Sequence, residues 1–310
     1  MRVLFWGTPE FAAPSLRGLI GEGFEVVGVV TQPDKPQGRS RSTLVPSPIK
    51  RIAIEEGIPV LQPEKPRGPE FAAELEALAP DVSVVVAYGH ILPRSVIELP
   101  PAGTLNIHAS LLPALRGAAP IQAAIRDGLT ETGVTIMRMV PQLDAGPIVL
   151  QARLPVAEDE TYGELQLRLS ELGAQTLIEA LALLAVGSHE EVAQDDTLAT
   201  YAPKVERNDA RVDWTVDARI VARSIRAYDP RPGAFSTLRG ADVKLFGARL
   251  VPDARGDPGE VLAIEEGGML VAAARGAVRV AYVHPAGKRR LAALDWAQGR
   301  GVAVGDRLGV

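Results

Sequence analysis

An asparagine and a histidine stand two residues apart in the run Thr104–Ser110. Side chains two apart on an extended strand point to the same side, so this spacing predicts that Asn106 and His108 face together. A primary amide can donate a hydrogen bond to an oxygen that gains negative charge, and an imidazole can move a proton. The pair therefore has the functional groups of a catalytic site, although an Asn-x-His pair is more often an ordinary hydrogen-bonded feature of a strand.

A carboxylate that can join this pair lies in the glycine-containing segment Gln142–Pro147. Asp144 follows a predicted strand, so it can reach the same crevice and orient or charge-stabilise the imidazole. An aspartate before Ala-Gly-Pro is also a common turn former, and the residue type alone leaves both interpretations open. The four histidines lack metal-ligand spacing and there is no cysteine, so we predict no metal site.

Short apolar runs that alternate with helical segments must position these residues. Val3–Trp6, Glu25–Thr31 and Asp81–Ala87 are predicted strands, and the last is a β-branched run typical of a strand buried on both faces of a parallel sheet. Helical spacing follows at Pro9–Leu19 and again at Tyr162–Ala185. The alternation predicts a doubly wound, mostly parallel, Rossmann-like α/β sheet, whose ligands bind beyond the carboxyl ends of the strands.

Two common phosphate-binding motifs are missing from the sequence. The opening Gly7–Glu10 superficially resembles a dinucleotide loop, but Gly-x-Gly-x-x-Gly does not occur. Gly-x-x-x-x-Gly-Lys-Ser/Thr does not occur either. A nucleotide-binding site of either kind is therefore a weak interpretation.

The pattern changes in the last third of the chain, from Val212 onward. Short β-like runs separated by glycine and Asp/Pro turns predict a small barrel or sandwich. These runs are Asp242–Phe246, Glu260–Ile264, Met269–Ala273 and Ala277–Tyr282. We place the domain boundary so that the first domain covers residues 1–203 and the second covers residues 204–310.

The net charge of −5 is unevenly distributed along the chain. From Lys204 to the end there are 18 Lys+Arg and 13 Asp+Glu, a net charge of +5. Such asymmetry hints at an anionic partner for the basic part, although a solvated β surface gives the same count. The apolar start is too short for a signal peptide, and no apolar stretch approaches the roughly 20 residues that span a bilayer. We therefore expect a cytoplasmic protein without a membrane partner, and a monomer.

Three ordered motifs, taken with their neighbours, resemble the family of formyltransferases that use 10-formyltetrahydrofolate. The motifs are Asn106–Pro113, Arg116–Ile121 and Leu143–Ile148. Within the family, the run Arg-Gly-Ala-Ala-Pro-Ile is similar to the branch that acts on methionyl-tRNA. Further matches cover nearly the whole chain: Gly7–Ala12, Gln32–Lys50, Ala87–Gly89, Ile91–Pro93, Tyr201–Lys204, Arg211–Trp214 and Ile225–Ala234.

The resemblance implies a role for each residue at a matching position. The catalytic trio would be Asn106, His108 and Asp144. Folate binding would fall to Ser110, Leu111, Leu112 and Pro113, together with Tyr88, Gly89 and Ile91. The loop that enters the tRNA acceptor end would use Lys35, Arg39, Arg41 and Lys50. The resemblance also implies 10-formyltetrahydrofolate as co-substrate, initiator methionyl-tRNA as partner, no metal, and a small C-terminal OB-like β-barrel that binds tRNA.

The implied reaction gives each member of the trio a task. The amino group of methionine, esterified to its tRNA, would attack the formyl carbon. Asn106 would donate to the oxygen that becomes negative, His108 would move a proton between the amine and N10, and Asp144 would set the charge and orientation of His108. The sequence departs from the family pattern at His90 and at Ala114–Leu115, which bears on folate contacts. It also has a less basic loop around Arg39 and Arg41.

Three alternative functions stay open from the sequence. A 10-formyltetrahydrofolate hydrolase or a sugar-amine formyltransferase would use the same trio with water or another amine as acceptor. The arginine-rich, barrel-like C-terminal part disfavours the sugar-modifying enzyme. A catalytically silent RNA-binding protein would keep the fold, but the retention of all three polar residues disfavours it.

Overall fold

The computed structural model describes residues 1–37 and 43–309. The chain forms two compact units, each assembled from separate segments. Unit 1 comprises Met1–Gly117, Thr132–Leu154 and Gln166–Tyr201, and unit 2 comprises Ala118–Glu131, Pro155–Leu165 and Ala202–Val310. The longest segment of unit 2 thus starts close to the predicted boundary, and unit 2 also includes two shorter segments that precede this boundary. The domain bounds 1–203 and 204–310 stay a prediction.

The first 185 residues contain the elements of an α/β sheet protein. The strands are β1 (Arg2–Gly7), β2 (Glu25–Val30), β3 (Lys35–Gln37), β4 (Thr43–Val45), β5 (Val60–Leu61), β6 (Val82–Val86), β7 (Thr104–His108), β8 (Glu131–Arg138) and β9 (Ile148–Pro155). The helices are α1 (Ala13–Gly21), α2 (Pro48–Glu55), α3 (Pro69–Ala77), α4 (Arg94–Ile97), α5 (Pro120–Arg126) and α6 (Tyr162–Ala185), with a 3-10 turn at Glu10–Ala12.

Seven of these strands form one sheet in the order β5-β2-β1-β6-β7-β8-β9, and β3 pairs with β4 in a separate antiparallel ribbon. The first five strands in this order, β5-β2-β1-β6-β7, run parallel to one another, whereas β8 runs antiparallel to β7. Every residue of β6 is buried, as its β-branched sequence predicts for a strand covered on both faces. The predicted mostly parallel α/β fold is confirmed.

The order in which the strands are added to the sheet reverses between β1 and β6. In open α/β folds, ligands bind beyond the carboxyl ends of the strands at such a point. Hydrogen bonds join the loops there. The Tyr88 carbonyl accepts from Thr8 Oγ1 at 3.1 Å and from Gln32 Nε2 at 3.0 Å. These three residues follow β6, β1 and β2, so the loops after the three strands are held to one another.

The C-terminal part of unit 2 is built on an antiparallel sheet. Its strands are β10 (Ala234–Leu238), β11 (Ala241–Val251), β12 (Val261–Glu265), β13 (Gly268–Ala272), β14 (Ala277–Pro285) and β15 (Leu291–Ala292); its helices are α7 (Ala218–Ala227) and α8 (Ala293–Gln298), and 3-10 turns lie at Asp196–Leu198 and Arg207–Ala210 nearby in the sequence. The sheet order is β10-β11-β14-β13-β12, with β15 paired to β14.

The core of this sheet contains Trp214, Tyr228 and Trp296, all buried. Helix α7 begins at a capped end, because Asp217 accepts from the Arg219 amide at 2.9 Å. A separate antiparallel β domain is therefore confirmed, and closure of its sheet into an OB-like barrel stays a prediction. Among the described residues, no helix is long and apolar enough to cross a membrane.

Candidate active site

Strand β7 carries the asparagine and the histidine at its carboxyl end. His108 is 5% exposed, whereas Asn106 is partly buried. Both lie on the strand at the predicted two-residue spacing. The side-chain amide of Asn106 has no hydrogen-bond partner in the described part of the chain. The amide is therefore available to a ligand at this edge of the sheet.

The position of the proton on His108 follows from its neighbours. Nε2 lies 2.9 Å from the carbonyl oxygen of Leu115. A carbonyl can only accept, so Nε2 carries the hydrogen and donates it. Nδ1 lies 3.6 Å from Asp144 Oδ2, which is too long for a hydrogen bond. Nδ1 is therefore the nitrogen without a hydrogen in the neutral ring, and it faces the Asp144 carboxylate.

Asp144 reaches His108 by a route that the sheet direction does not suggest. Because β8 is antiparallel to β7, its last residue, Arg138, pairs with Leu105 and not with His108. The loop after β8 therefore runs back along β7 to bring Asp144 to the histidine. Asp144 adopts a left-handed conformation with φ of +49°, and its Oδ2 accepts from the Gly117 amide at 2.8 Å. The three predicted catalytic residues are thus grouped, and their roles stay predictions.

The predicted folate-binding loop after β7 is held by two side chains from neighbouring strands. Thr135 Oγ1 donates to the Ser110 carbonyl at 2.7 Å and accepts from the Leu112 amide at 3.1 Å. Gln151 Nε2 donates to the Leu112 carbonyl at 2.9 Å. Ser110 Oγ donates to the Ala114 carbonyl at 2.6 Å. Leu111 and Pro113 are half-buried in the same loop, so its backbone has a fixed shape.

The second predicted folate-binding segment follows β6. Tyr88 is buried with its ring edge-on to Trp6, at 5.3 Å between centroids, and burial raises the pKa of its hydroxyl to about 12. Gly89 has a φ of +88°, where a side chain would be strained and would meet Gln32. Ile91 is 89% exposed. Tyr88 therefore anchors the segment, and Ile91 presents an apolar surface to solvent. His90, an exposed departure from the family pattern, rests against the Tyr88 ring.

The predicted tRNA-contacting residues fall into three groups. Lys35 is exposed on β3. Lys50 is half-buried, and its Nζ donates to Asp34 Oδ2 at 2.7 Å. Gln62 also donates to Asp34, at 2.8 Å, so Lys50 and Gln62 hold the segment that leads into β3. Arg39 and Arg41 lie outside the described residues. The tRNA contacts of all four residues stay predictions.

Sequence reasoning missed two residues next to the trio, Arg116 and Gln194. Arg116 is 4% exposed, and its guanidinium donates to Gln194 and to Asp196. Gln194 in turn donates to the loop that carries Asp144. Arg116 was noticed only as part of a motif, and Gln194 lies in a polar run that is typical of a solvated surface. No local pattern distinguishes either residue. Within the described residues, no group of three or more His, Asp and Glu side chains is arranged to hold a metal ion.

Two family models cover most of the chain. The model described as formyl transferase matches residues 1–181, and that described as formyl transferase, C-terminal domain, matches residues 204–301. A methionyl-tRNA formyltransferase from Methylococcus capsulatus is 48% identical over 312 residues, covering all of both chains. One from Thermotoga neapolitana is 46% identical, covering 99% of this chain and 98% of the relative.

Solved structures show the same fold at lower identity. HypX from Aquifex aeolicus in complex with tetrahydrofolic acid has a TM-score of 0.67 at 23% identity, over 95% of this chain. The match spans 46% of that protein, so this chain corresponds to about half of it. WlaRD, a sugar 3N-formyl transferase, has a TM-score of 0.67 at 17% identity, over 93% of this chain and 98% of that one. The motifs, the two family models and the full-length relatives together show that this chain belongs to the formyl transferase family.

Proposed function

We propose that this protein transfers the formyl group of 10-formyltetrahydrofolate to the α-amino group of methionine on initiator tRNA. Full-length similarity to methionyl-tRNA formyltransferases supports this pair of substrates. The fold shared with a protein that binds tetrahydrofolic acid is consistent with a folate co-substrate. The observation that carries the chemistry is the side-chain amide of Asn106, which has no partner among the described residues and lies on β7 with His108, the residue that faces Asp144.

Exposed apolar side chains in the loops around the trio support the proposal of a folate site. Ile91 is 89% exposed and Leu143 is 64% exposed, and both belong to loops that hold predicted site residues. Exposed apolar side chains beside polar groups are typical of a ligand site. The ring system of the co-substrate would cover apolar surface here, while the braced backbone of Ser110–Pro113 would offer hydrogen-bonding groups in fixed positions.

Formyl transfer forms a bond between the methionine nitrogen and the formyl carbon and breaks the bond from that carbon to N10. Asn106 would donate to the formyl oxygen as it becomes negative, a contact worth about 3–4 kcal/mol in well-formed oxyanion sites. The amine loses a proton and N10 gains one. His108 would carry that proton on Nδ1, and Asp144 would stabilise the imidazolium formed in between.

A formyl-transfer assay with charged initiator tRNA, uncharged tRNA, a sugar amine and water as acceptors tests the proposal. We expect formylation of the charged tRNA alone. Folate turnover without formylated tRNA would instead identify a hydrolase. Transfer to a sugar amine but not to tRNA would identify a sugar-amine formyltransferase. Binding of tRNA without any turnover would identify a catalytically silent RNA-binding protein.

Two replacements test the roles of the trio. Asn106→Ala should lower kcat by about 10²–10³-fold, and His108→Ala by about 10²–10⁴-fold, with much smaller effects on folate binding. His189→Ala is the matched control, because His189 faces Glu191 at 3.5 Å and contacts none of the trio. Near-normal turnover by Asn106→Ala would remove that residue from the mechanism.

We infer that Lys35, Arg39, Arg41 and Lys50 bind the phosphates of the tRNA acceptor end. A lysine or arginine bound to phosphate releases counterions, so each lost contact should flatten the salt dependence of binding. The double replacement of Arg39 and Arg41 by Ala should lower that slope by about 1–2 and leave folate affinity unchanged. Lys65→Ala with Arg67→Ala, two exposed basic residues elsewhere in unit 1, is the control. An unchanged slope would contradict the inference. The cytoplasmic location and the monomeric state stay predictions.

A further inference from the structure

The loop that carries Asp144 is held by a glutamine from a distant part of the chain. Gln194 Nε2 donates to the carbonyl oxygen of Asp144 at 2.9 Å and to that of Gly146 at 2.7 Å. One amide group has two hydrogens to donate, and here both are used on the same loop. Gln194 therefore fixes the backbone on both sides of Ala145.

Arg116 decides which end of the Gln194 amide faces the loop. Its Nε and Nη2 lie 3.1 Å and 2.7 Å from Gln194 Oε1, and Nη2 also donates to Asp196 Oδ1 at 2.7 Å. A guanidinium group has donors only, so the Gln194 atom that faces it must be the oxygen. The amide nitrogen then has to face the loop, where the two carbonyls accept from it.

The same chain segment also holds the other contact of His108. Thr200 Oγ1 accepts from the Leu115 amide at 2.8 Å, and the Thr200 carbonyl accepts from the Arg116 amide at 2.8 Å. The Leu115 carbonyl is the acceptor for His108 Nε2. Residues 194–200 therefore fasten both loops that face the two nitrogens of His108.

We infer that Gln194, oriented by Arg116, is a positioning residue for the His108–Asp144 pair. Asp144 has a left-handed conformation, which is uncommon for residues other than glycine, and the two hydrogen bonds from Gln194 hold the backbone beside it. Without the two donors of Gln194 the loop relaxes, the carboxylate leaves the imidazole, and the chemical step slows. The kinetic consequence rests on the proposed formyl transfer, whereas the effect on His108 does not.

Two replacements of Gln194 isolate its donors. Gln194→Glu keeps an oxygen for Arg116 and loses both hydrogens, and Gln194→Met loses oxygen and hydrogens at similar volume. Asp195→Ala is the matched control, because within the described residues the Asp195 carboxylate accepts only from Thr197 N and Oγ1, at 2.9 and 2.6 Å, on the exposed side of the same segment. We expect kcat to fall about 10–100-fold in both Gln194 variants. KM should stay near its wild-type value, and the pH–rate profile should shift, because the surroundings of His108 change. The control should match the wild type.

The ring nitrogens of His108 give a readout that needs no activity. The chain has four histidines, so His108 is identified in a ¹⁵N spectrum by the signals lost in His108→Gln. At fixed pH these signals should move in Gln194→Glu and Gln194→Met and stay in place in Asp195→Ala, with thermal melting used to show that each variant is folded. Unmoved His108 signals in the folded Gln194 variants would overturn the inference. If the wild type transfers no formyl group, the proposed function fails while these spectra still decide the role of Gln194.

Discussion

Both compact units bury an arginine, and they treat it differently. Arg116 in unit 1 is 4% exposed and hydrogen-bonds to Gln194 and Asp196. Arg226 in unit 2 is 6% exposed, and its Nη1 donates to Asp159 at 3.2 Å. Its Nε has no partner among the described residues, and burial lowers the pKa of the guanidinium. Arg226 also lines a cavity of about 300 Å³ within unit 2.

The difference concerns how a buried charge contributes to stability and to the position of its neighbours. This contribution depends on whether all of its hydrogen bonds are made. A satisfied network holds one arrangement of its members, and here those members fix the loops around His108. A buried donor without an acceptor costs about 1–3 kcal/mol. We therefore expect Arg116 to contribute both stability and position, and Arg226 to contribute less stability.

Two buried or half-buried aspartates show the same contrast. In unit 1, hydrogen bonds from Lys50 and Gln62 lower the pKa of Asp34. In unit 2, burial raises the pKa of Asp229, and a hydrogen bond from the Gly247 amide at 2.8 Å offsets only part of this effect. The two carboxylates should therefore respond to pH with opposite signs.

The largest effect should come from Arg116→Met. The replacement leaves Gln194 without its orienting donor and removes hydrogen bonds to a charged group, so the free energy of unfolding of unit 1 should fall by about 2–4 kcal/mol. The rate of formyl transfer should fall with it. Urea unfolding measures the free energy of unfolding. A loss below about 0.5 kcal/mol would contradict a stabilising role for the hydrogen bonds of Arg116.

Arg226→Met is the matched replacement in unit 2, and its effect should be smaller. It removes an incompletely bonded charge and leaves Asp159 half-exposed beside Arg249 at 3.6 Å. Removing one partner of an ion pair is strongly destabilising where the other charge is left buried, but the Asp159 side chain is 48% exposed. We expect the free energy of unfolding to change by no more than about 1 kcal/mol. A loss as large as that of Arg116→Met would contradict the expected difference between the two arginines.

The two units can be followed separately, which both arginine replacements require because a two-domain chain need not unfold in one step. The sequence has three tryptophans: Trp6 lies in unit 1, and Trp214 and Trp296 lie in unit 2. In a Trp6→Phe background the fluorescence reports unit 2. With Trp214→Phe and Trp296→Phe it reports unit 1. Each arginine variant should affect mainly the signal of its own unit.

Asp229→Asn should stabilise unit 2 at pH 7, because burial raises the pKa of the Asp229 carboxyl. A raised native-state pKa means that the folded protein binds the proton more tightly than the unfolded chain. The stabilising contribution of Asp229 is therefore fully present below its unfolded pKa and is lost as the pH rises through the folded pKa. Asparagine keeps an acceptor for the Gly247 amide and carries no charge. The gain should disappear in acid, and a destabilised variant at pH 7 would show that the pairing of Asp229 with Arg290 outweighs burial.

Asp34→Asn should act in the opposite direction and with the smallest effect. The lowered pKa of Asp34 means that its contribution to stability is present above the unfolded pKa and lost as the pH falls through the folded pKa. The variant should therefore be less stable than the wild type at neutral pH and equal to it in strong acid. Melting curves across this range provide the test. An equal difference at every pH would assign the loss to packing and not to charge.

Local patterns predicted much of the fold and the members of the trio. The β-branched run of β6 and the apolar spacing of α6 identified those elements, because burial repeats with the period of a strand or a helix. Strand β7 lies within the run Thr104–Ser110, where the spacing of Asn106 and His108 predicted that the two residues share a strand. Strand β9 was missed, because its residues are alternately half-buried and exposed and give no buried run. The antiparallel direction of β8 was also not predicted.

The sequence by itself determined which residue types stand at the ends of the strands, and its motifs were enough to predict the family. Only the tertiary structure decided which polar groups meet. Gln194 lies 50 residues from Asp144 and 78 from Arg116 in the sequence, and Lys50 lies 16 residues from its partner Asp34. Hydrophobic periodicity is set by near neighbours and can be read locally. A polar side chain has many possible partners along the chain, and the packed backbone alone selects among them.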